Sequence, residues 1–500
     1  MRLYHLLLVS TLVVAFLCIA AQARDYSKRS DALTSSVALL DEFGQIAGFQ
    51  LPLKGRPRQE AAINPLAKRA YSVPYNMAPF QSIAWGIPIN VGSTSTPVYV
   101  DLDTGSADLL VSGTICQGGT AMGCTSGVPY VMSSGGSYFA CASSTNCPGV
   151  QGAVTCDTGF ATMSGQYCVA KDCYGDGTGA LSVVVTDTLG IPGVPSTTSV
   201  QYGSIYNPIK SNCLAVKPSF GAGFLSANWT GLFGVSFPGA GVIQSNPLDH
   251  LLAANGLPDM FSLCVLQSAA FMSIGADYRC NSQFVFVPIS SPSSVLSISL
   301  GDVGVNGNSL GLSSSQLNQV NYPTIVDSGT SLVVLNNATS TALWGSLQGV
   351  CTTNPSLVGI CNVTYANSIF MKTFSLSGQE ALKYPPIYFT IPGSSSDYTV
   401  TLQSSDWILP FQQIGNTLFY RAGFQLYAGK QTILGDTFMG AVHVVFDKAN
   451  NQIGFGPLST CTLSAASSNC NPPTSSSSSN TGSASTLTSP LVEALRLVQN

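Results

Sequence analysis

A chain of 500 residues with 45% hydrophobic residues has room for more than one domain and can bury a large core. Only 8% of its residues are charged, and 19 basic against 23 acidic residues give a net charge of −4. That balance argues against nucleic acid as a partner and against disorder throughout. In chain order, Arg2, the apolar run Leu6 to Ala20 and the triplet Ala21-Gln22-Ala23 give residues 1–23 the form of a secretory signal peptide. The run falls short of the roughly 18 residues a membrane span needs, and no other run reaches that length. Secretion implies an oxidising compartment, where the 14 cysteines left after Cys18 could form up to seven disulfides. No metal site is expected: paired C-x-x-C knuckles are missing, and only His250 and His443 remain beyond the leader.

Lys68-Arg69 is a dibasic pair of the kind cut in the secretory pathway, which marks residues 24–69 as a pro-segment. That segment carries eight basic and five acidic residues, a net of +3, whereas residue 70 onward carries ten and eighteen, a net of −8. A basic leader on an acidic body suggests a pro-segment held partly by charge. The 49 Gly and 28 Pro lie between short apolar runs, the pattern of many turns and short strands. Residues 461–500, with the serine run Ser475 to Ser479, read as a solvated Ser/Thr-rich tail.

Two short segments share one design. Val98 to Leu102 leads into Asp103-Thr104-Gly105-Ser106, and Thr324-Ile325-Val326 leads into Asp327-Ser328-Gly329-Thr330. Each is an apolar strand, then aspartate, hydroxyl residue, glycine and hydroxyl residue, followed by a second apolar strand. Glycine allows a sharp turn beside the carboxylate, and the hydroxyls can hydrogen-bond it. A single such motif is usually a turn. Two copies suggest a duplicated lobe whose loops meet across a pseudo-two-fold axis. Carboxylates brought that close share a proton, so one serves as acid and the other as base. Water can then be activated without metal, histidine or thiol, and no cofactor is expected.

These motifs resemble those of the pepsin-like aspartic endopeptidases. Tyr174-Gly175-Asp176-Gly177-Thr178-Gly179 resembles the family's flap over the substrate. Gly231-Leu232-Phe233-Gly234 and Ile433-Leu434-Gly435-Asp436-Thr437-Phe438 resemble the segments behind the two aspartates. The resemblance implies an all-β, bilobal fold with the cleft between lobes at 70–260 and 261–460. It implies peptide hydrolysis at acid pH, with polypeptide substrates, inhibition by pepstatin-type compounds and a monomeric enzyme. By resemblance, Asp103 and Asp327 hold the attacking water, and Ser106 and Thr330 bond the outer carboxylate oxygens. Thr104 and Ser328 would brace the two loops, while Tyr174, Gly175 and Asp176 would close over substrate. Phe49 to Lys54 resembles the start of a pepsinogen-type pro-segment strand, so the pro-segment should act as an intramolecular inhibitor, with a basic residue among Lys54 to Arg58 neutralising the aspartates.

Two departures from that pattern stand out. Leu110 occupies the position where the family usually has a Trp that hydrogen-bonds the flap tyrosine, which puts the resting position of Tyr174 in question. The Cys-rich insert at 116–173 is similar to that of the nepenthesin-like branch. Within the body, Cys351 with Cys361 and Cys461 with Cys470 are the expected local pairs. Asn228, Asn337 and Asn362 open N-glycosylation sequons. His443 in an apolar strand and His250 on a helix are expected to be structural. The rival reading is a catalytically silent binding or inhibitor-like protein on the same fold; the intact pair of motifs and Tyr174 disfavour it.

Overall fold

The computed structural model describes residues 37–40, 46–56 and most of 84–461; its longest undescribed internal segments are 57–83, 115–128, 158–165, 210–229, 362–373 and 376–382. The signal peptide, Lys68-Arg69, Gly175, Asp176, Asn228, Asn362, Cys470 and the Ser/Thr-rich tail lie outside the described residues.

Short apolar runs punctuated by glycine become strands. The first used below is β1 (Ile46–Arg56), from the expected pro-segment. It is followed by β2 (Ala84–Val91), β3 (Val98–Asp103) and β4 (Leu109–Ser112). A long hairpin comes next: β5 (Tyr167–Cys173), β6 (Gly179–Ile191) and β7 (Val194–Ile209). Then come β8 (Gly231–Gly234), helix α1 (Pro247–Ala254), β9 (Met260–Leu266) and β10 (Ala269–Ile274). The second half contributes β11 (Thr324–Val326), β12 (Val333–Leu335), α2 (Asn337–Thr353), β13 (Phe424–Leu426) and β14 (Ile433–Leu434). It closes with β15 (His443–Asp447) and β16 (Gln452–Gly456). The helices begin where polar side chains satisfy free amides: Asn246 accepts from Leu248 and Asp249, and Asn336 accepts from Thr339. The protein is therefore mostly strand, as the all-β expectation required.

The duplication is explicit in the strand register. In the first half β8 inserts between β3 and β4, parallel to β3 and antiparallel to β4, and β7 runs parallel to β4 on its other side. In the second half β14 inserts between β11 and β12 in the same senses, and β13 runs parallel to β12. Both aspartates thus stand at the end of a strand whose neighbour is threaded in from more than 100 residues later in sequence. Strands buried on both faces need unbroken apolar sequence, and Leu109–Ser112, Gly231–Gly234 and Thr324–Val326 are buried throughout.

The largest sheet runs through both halves, and β1 sits at its middle, between β10 and β2. Leu51 faces Met272 and Leu53 faces Ala270 across one ladder, while Lys54 faces Gly86 across the other. Leu51 and Leu53 are buried, each contributing about 2 kcal/mol of apolar burial. Farther along, β9 and β15 pair with Phe261 stacked on Phe446 at 4.7 Å.

Four disulfides are formed among the described residues: Cys141–Cys156, Cys147–Cys168, Cys264–Cys461 and Cys351–Cys361. The expected Cys351–Cys361 pair is present. The expected Cys461–Cys470 pair is not: Cys461 bonds Cys264 of β9, 197 residues away. Sequence proximity misled here, because the turn Leu458–Cys461 folds back onto β9 and β15. A bridge closing so long a loop constrains the unfolded chain strongly, and Cys264→Ala with Cys461→Ala is expected to cost about 2–5 kcal/mol. Urea unfolding of the paired variant checks this.

His443 is buried on β15, its Nδ1 2.8 Å from Thr460 Oγ1 and its Nε2 3.1 Å from Ser262 Oγ. Tyr278 and Phe284 meet its ring edge-on. Burial pulls its pKa down to about 4, below the ordinary value of about 6.5. The folded state therefore favours neutral imidazole, and this stabilisation is complete above about pH 6.5 and lost as pH falls through about 4. Relative to wild type, His443→Gln should show a smaller drop in urea midpoint between pH 6.5 and pH 4. His250 lies exposed on α1.

Candidate active site

Both D-x-G turns end a strand and aim their carboxyls at one another. Gly105 N donates to Asp103 Oδ1 at 2.8 Å, and Gly329 N donates to Asp327 Oδ1 at 2.8 Å. Ser106 Oγ donates to Asp103 Oδ2, and Thr330 Oγ1 donates to Asp327 Oδ2 at 2.5 Å. The two aspartates therefore have matching partners on matching atoms. Asp103 and Asp327 are buried and lie close together, since a Cβ added to Gly329 would meet the carboxyls of both. Burial chiefly, then the neighbouring Asp327 carboxyl, holds the Asp103 carboxyl well above the usual carboxylate range.

A second set of bonds locks the loops together. Thr104 Oγ1 donates to Val326 O at 2.8 Å, and Ser328 Oγ donates to Leu102 O at 2.7 Å. Each hydroxyl also accepts from the opposite loop's amide: Ser328 N to Thr104 Oγ1 at 2.8 Å, and Thr104 N to Ser328 Oγ at 3.1 Å. All four bonds are buried, so the carboxyls cannot separate without breaking them. The glycines are equally constrained. A Cβ on Gly105 would lie 2.6 Å from Asp327 Oδ1, and one on Gly329 would meet Asp103. Only glycine permits so close an approach.

Tyr174 follows β5, and its amide donates to Thr178 O at 2.8 Å, closing the β5–β6 hairpin. Its side chain packs on a small cluster formed by Leu110, Ala180, Ile205 and Leu232. Leu110 thus contributes to the apolar cluster on which Tyr174 packs. Asn337 is exposed at the first turn of α2, while Thr339 of its sequon is buried.

Two buried polar clusters went unnoticed in the sequence. Lys448 Nζ, after β15, donates to Ser236 O at 3.1 Å and to Asp249 Oδ1, and lies 5.7 Å from the Phe237 ring centre. It clips the second half of the chain to the first. Asp108, five residues beyond Asp103, is buried and accepts from Val242 N and Ile243 N. An aspartate inside an otherwise apolar strand entry was the available signal for Asp108; nothing local marked the lysine.

A fold of two strand-crossed halves, each presenting an aspartate on a D-x-G turn to the other, defines the aspartic-protease class. The chain belongs to the eukaryotic aspartyl protease family, which matches residues 84–458. It is 25% identical over 274 residues to cathepsin D of Dictyostelium discoideum, covering 53% of this chain and 64% of that protein. Cathepsin E-A of Xenopus laevis is 26% identical over 298 residues, covering 56% and 64%. Pepsin A of Canis lupus familiaris is 26% identical over 292 residues, covering 56% and 65%. The chain thus spans a little under two thirds of the length of these relatives. Among the described residues no helix is long and apolar enough to cross a membrane.

Proposed function

We propose that this protein is an aspartic endopeptidase, made as a zymogen in the secretory pathway, that hydrolyses peptide bonds at acid pH. The observation that carries the reading is the close approach of Asp103 and Asp327, each carboxyl held by a glycine amide and a hydroxyl. Two carboxyls in that contact hold one proton between them. The ionised member takes a proton from water as the water attacks the scissile carbonyl, and the protonated member hydrogen-bonds the carbonyl oxygen. The tetrahedral diol collapses when the leaving nitrogen is protonated, with no covalent enzyme intermediate. Ser106 and Thr330 keep the outer oxygens occupied, which leaves the inner ones for the water. Tyr174, Gly175 and Asp176 are the residues proposed to cover the substrate and exclude bulk water.

The zymogen reading is supported by β1, a pro-segment strand hydrogen-bonded on both sides within the central sheet. Cleavage at Lys68-Arg69 alone leaves that strand bound, so maturation also needs acid to weaken the attraction between the basic leader and the acidic body. Lys54 to Arg58 are the proposed partners of the active-site carboxylates. Sequons at Asn228, Asn337 and Asn362 are proposed glycosylation sites.

The test is incubation of the processed protein with a denatured protein near pH 4, with and without a pepstatin-type inhibitor. Cleavage that the inhibitor abolishes supports the assignment. Absence of cleavage after leader removal favours the silent binding protein.

A further inference from the structure

Consecutive amides at the end of β8 hold the backbone of the first catalytic turn. Gly234 N donates to Asp108 O at 3.0 Å, Val235 N to Asp103 O at 2.9 Å and Ser236 N to Ser106 O at 2.9 Å. Ser106 in turn donates its hydroxyl to Asp103 Oδ2. The carbonyls of the same segment face a charge from the other half of the chain. Lys448 Nζ donates to Ser236 O at 3.1 Å and approaches Val235 O at 3.5 Å. Val235 O and Ser236 N belong to one peptide group, so a cation at the oxygen strengthens the bond that the N–H gives to Ser106. The path from the ammonium to the Asp103 carboxyl is therefore short. It runs through that peptide group, the Ser106 backbone and the Ser106 hydroxyl.

Lys448 is the first residue beyond β15, and its side chain is 1% exposed. The acids facing it are Asp249 of α1, which accepts from Nζ, and Asp259 ahead of β9, 3.7 Å away. Asp447, its neighbour in the chain, accepts from Asn450 and Gln452. The backbone around the lysine is fixed from both sides. Ala449 N donates to Asp259 O at 3.2 Å, and Asn246, whose side chain caps α1, also donates to Ser236 O. A buried ammonium needs acceptors, and here some of them are carbonyls directly behind the catalytic turn.

We propose that Lys448 is a positioning residue: its ammonium fixes the Val235–Ser236 backbone and thereby seats the Asp103 turn opposite Asp327. Its effect on turnover rests on the proposed peptide hydrolysis; its hold on the backbone does not. The carbonyl contacts suit an enzyme that works in acid. Burial, partly offset by Lys448, raises the Asp249 pKa to about 6, so at pH 4 that carboxyl is mostly neutral. The carbonyls do not titrate and remain as acceptors.

The test compares Lys448→Met with Asp249→Asn in the processed protein at pH 4, well below the melting temperature of each. Both break the Lys448–Asp249 pair, but only the first takes the donor away from Ser236 and Val235. Lys448→Met should lower kcat by about 10–100-fold with KM within about two-fold, the pattern of a displaced catalytic group. Asp249→Asn should keep kcat within about three-fold. Lys448→Arg, which keeps a charged donor, should restore most of the lost kcat. Hydrogen exchange reads the same contact without cleavage. In Lys448→Met the Val235 and Ser236 amides should lose about 10-fold more protection than those of Asp436 and Thr437, which donate to Thr330 and Ser331. Lys448→Gln replaces a methionine variant that does not fold and is read in the same way. Equal kcat losses in Lys448→Met and Asp249→Asn, an unchanged kcat in the former, or equal loss of protection at both turns overturns the proposal. A chain that cleaves no peptide refutes the hydrolysis instead, and the exchange result then decides the role of Lys448.

Discussion

Asp103→Asn or Asp327→Asn is expected to lower kcat by about 10²–10⁴-fold, the range for losing a positioned acid or base. Stability should change little, because asparagine can still accept the glycine amide that holds each carboxyl. The buried bonds between Thr104, Ser328 and the opposite backbones would also survive. Either substitution ends the sharing of a proton between like groups, so the two variants should lose activity to a similar degree. The double variant should be no worse than a little below either single one, since groups acting as a unit are not additive. A peptide assay paired with a thermal melt reads both effects. A variant that melts normally yet keeps a kcat within a few-fold of wild type contradicts the proposed roles.

The second large effect falls on stability. Lys448→Met should cost about 2–3 kcal/mol at pH 7, at or below the low end of the roughly 3–5 kcal/mol for breaking a fully buried ion pair. The lysine side chain is 1% exposed while Asp249 is 29% exposed, so water already screens part of the interaction. The loss should depend on pH. Burial, partly offset by Lys448, raises the Asp249 pKa to about 6, so below that pH the lysine loses much of its counter-charge. Removing the ammonium should then cost less at pH 4 than at pH 7. Urea unfolding at the two pH values checks the sign, and an equal cost at both would show that the Asp249 charge contributes little.

The sequence made the chemistry easier to read than the scaffold. Asp103 and Asp327 were legible because an apolar strand followed by Asp, hydroxyl, Gly and hydroxyl residues recurs, and the glycine and hydroxyl that hold each carboxyl lie within three residues of it. The two-half architecture was legible for the same reason, since a duplicated loop implies duplicated strands. The remaining features depend on contacts across long stretches of chain. Cys461 was assigned to a neighbour in sequence although the fold puts it beside Cys264. Lys448 meets its partners Ser236 and Asp249 only across about 200 residues of chain. Asp108 finds its partners in the amides of Val242 and Ile243, 134 and 135 residues later in the chain. The Leu110 departure was visible in the sequence, but its consequence was not. That the flap tyrosine would rest on an apolar cluster depends on Ala180, Ile205 and Leu232 converging there.

The low charge content can be read in the same way. An enzyme working in acid gains little from ion pairs whose carboxylates are protonated there. This chain instead brings its two motif carboxyls together, and burial there holds the Asp103 carboxyl well above the usual carboxylate range.

The most direct test of the shared-proton centre is the pH dependence of kcat/KM for the processed protein on a synthetic peptide. A bell-shaped profile is predicted, with two limbs belonging to the Asp103–Asp327 pair, and both should vanish in the two asparagine variants. A profile with a single limb, or one that survives in the Asp103→Asn, Asp327→Asn double variant, would contradict it.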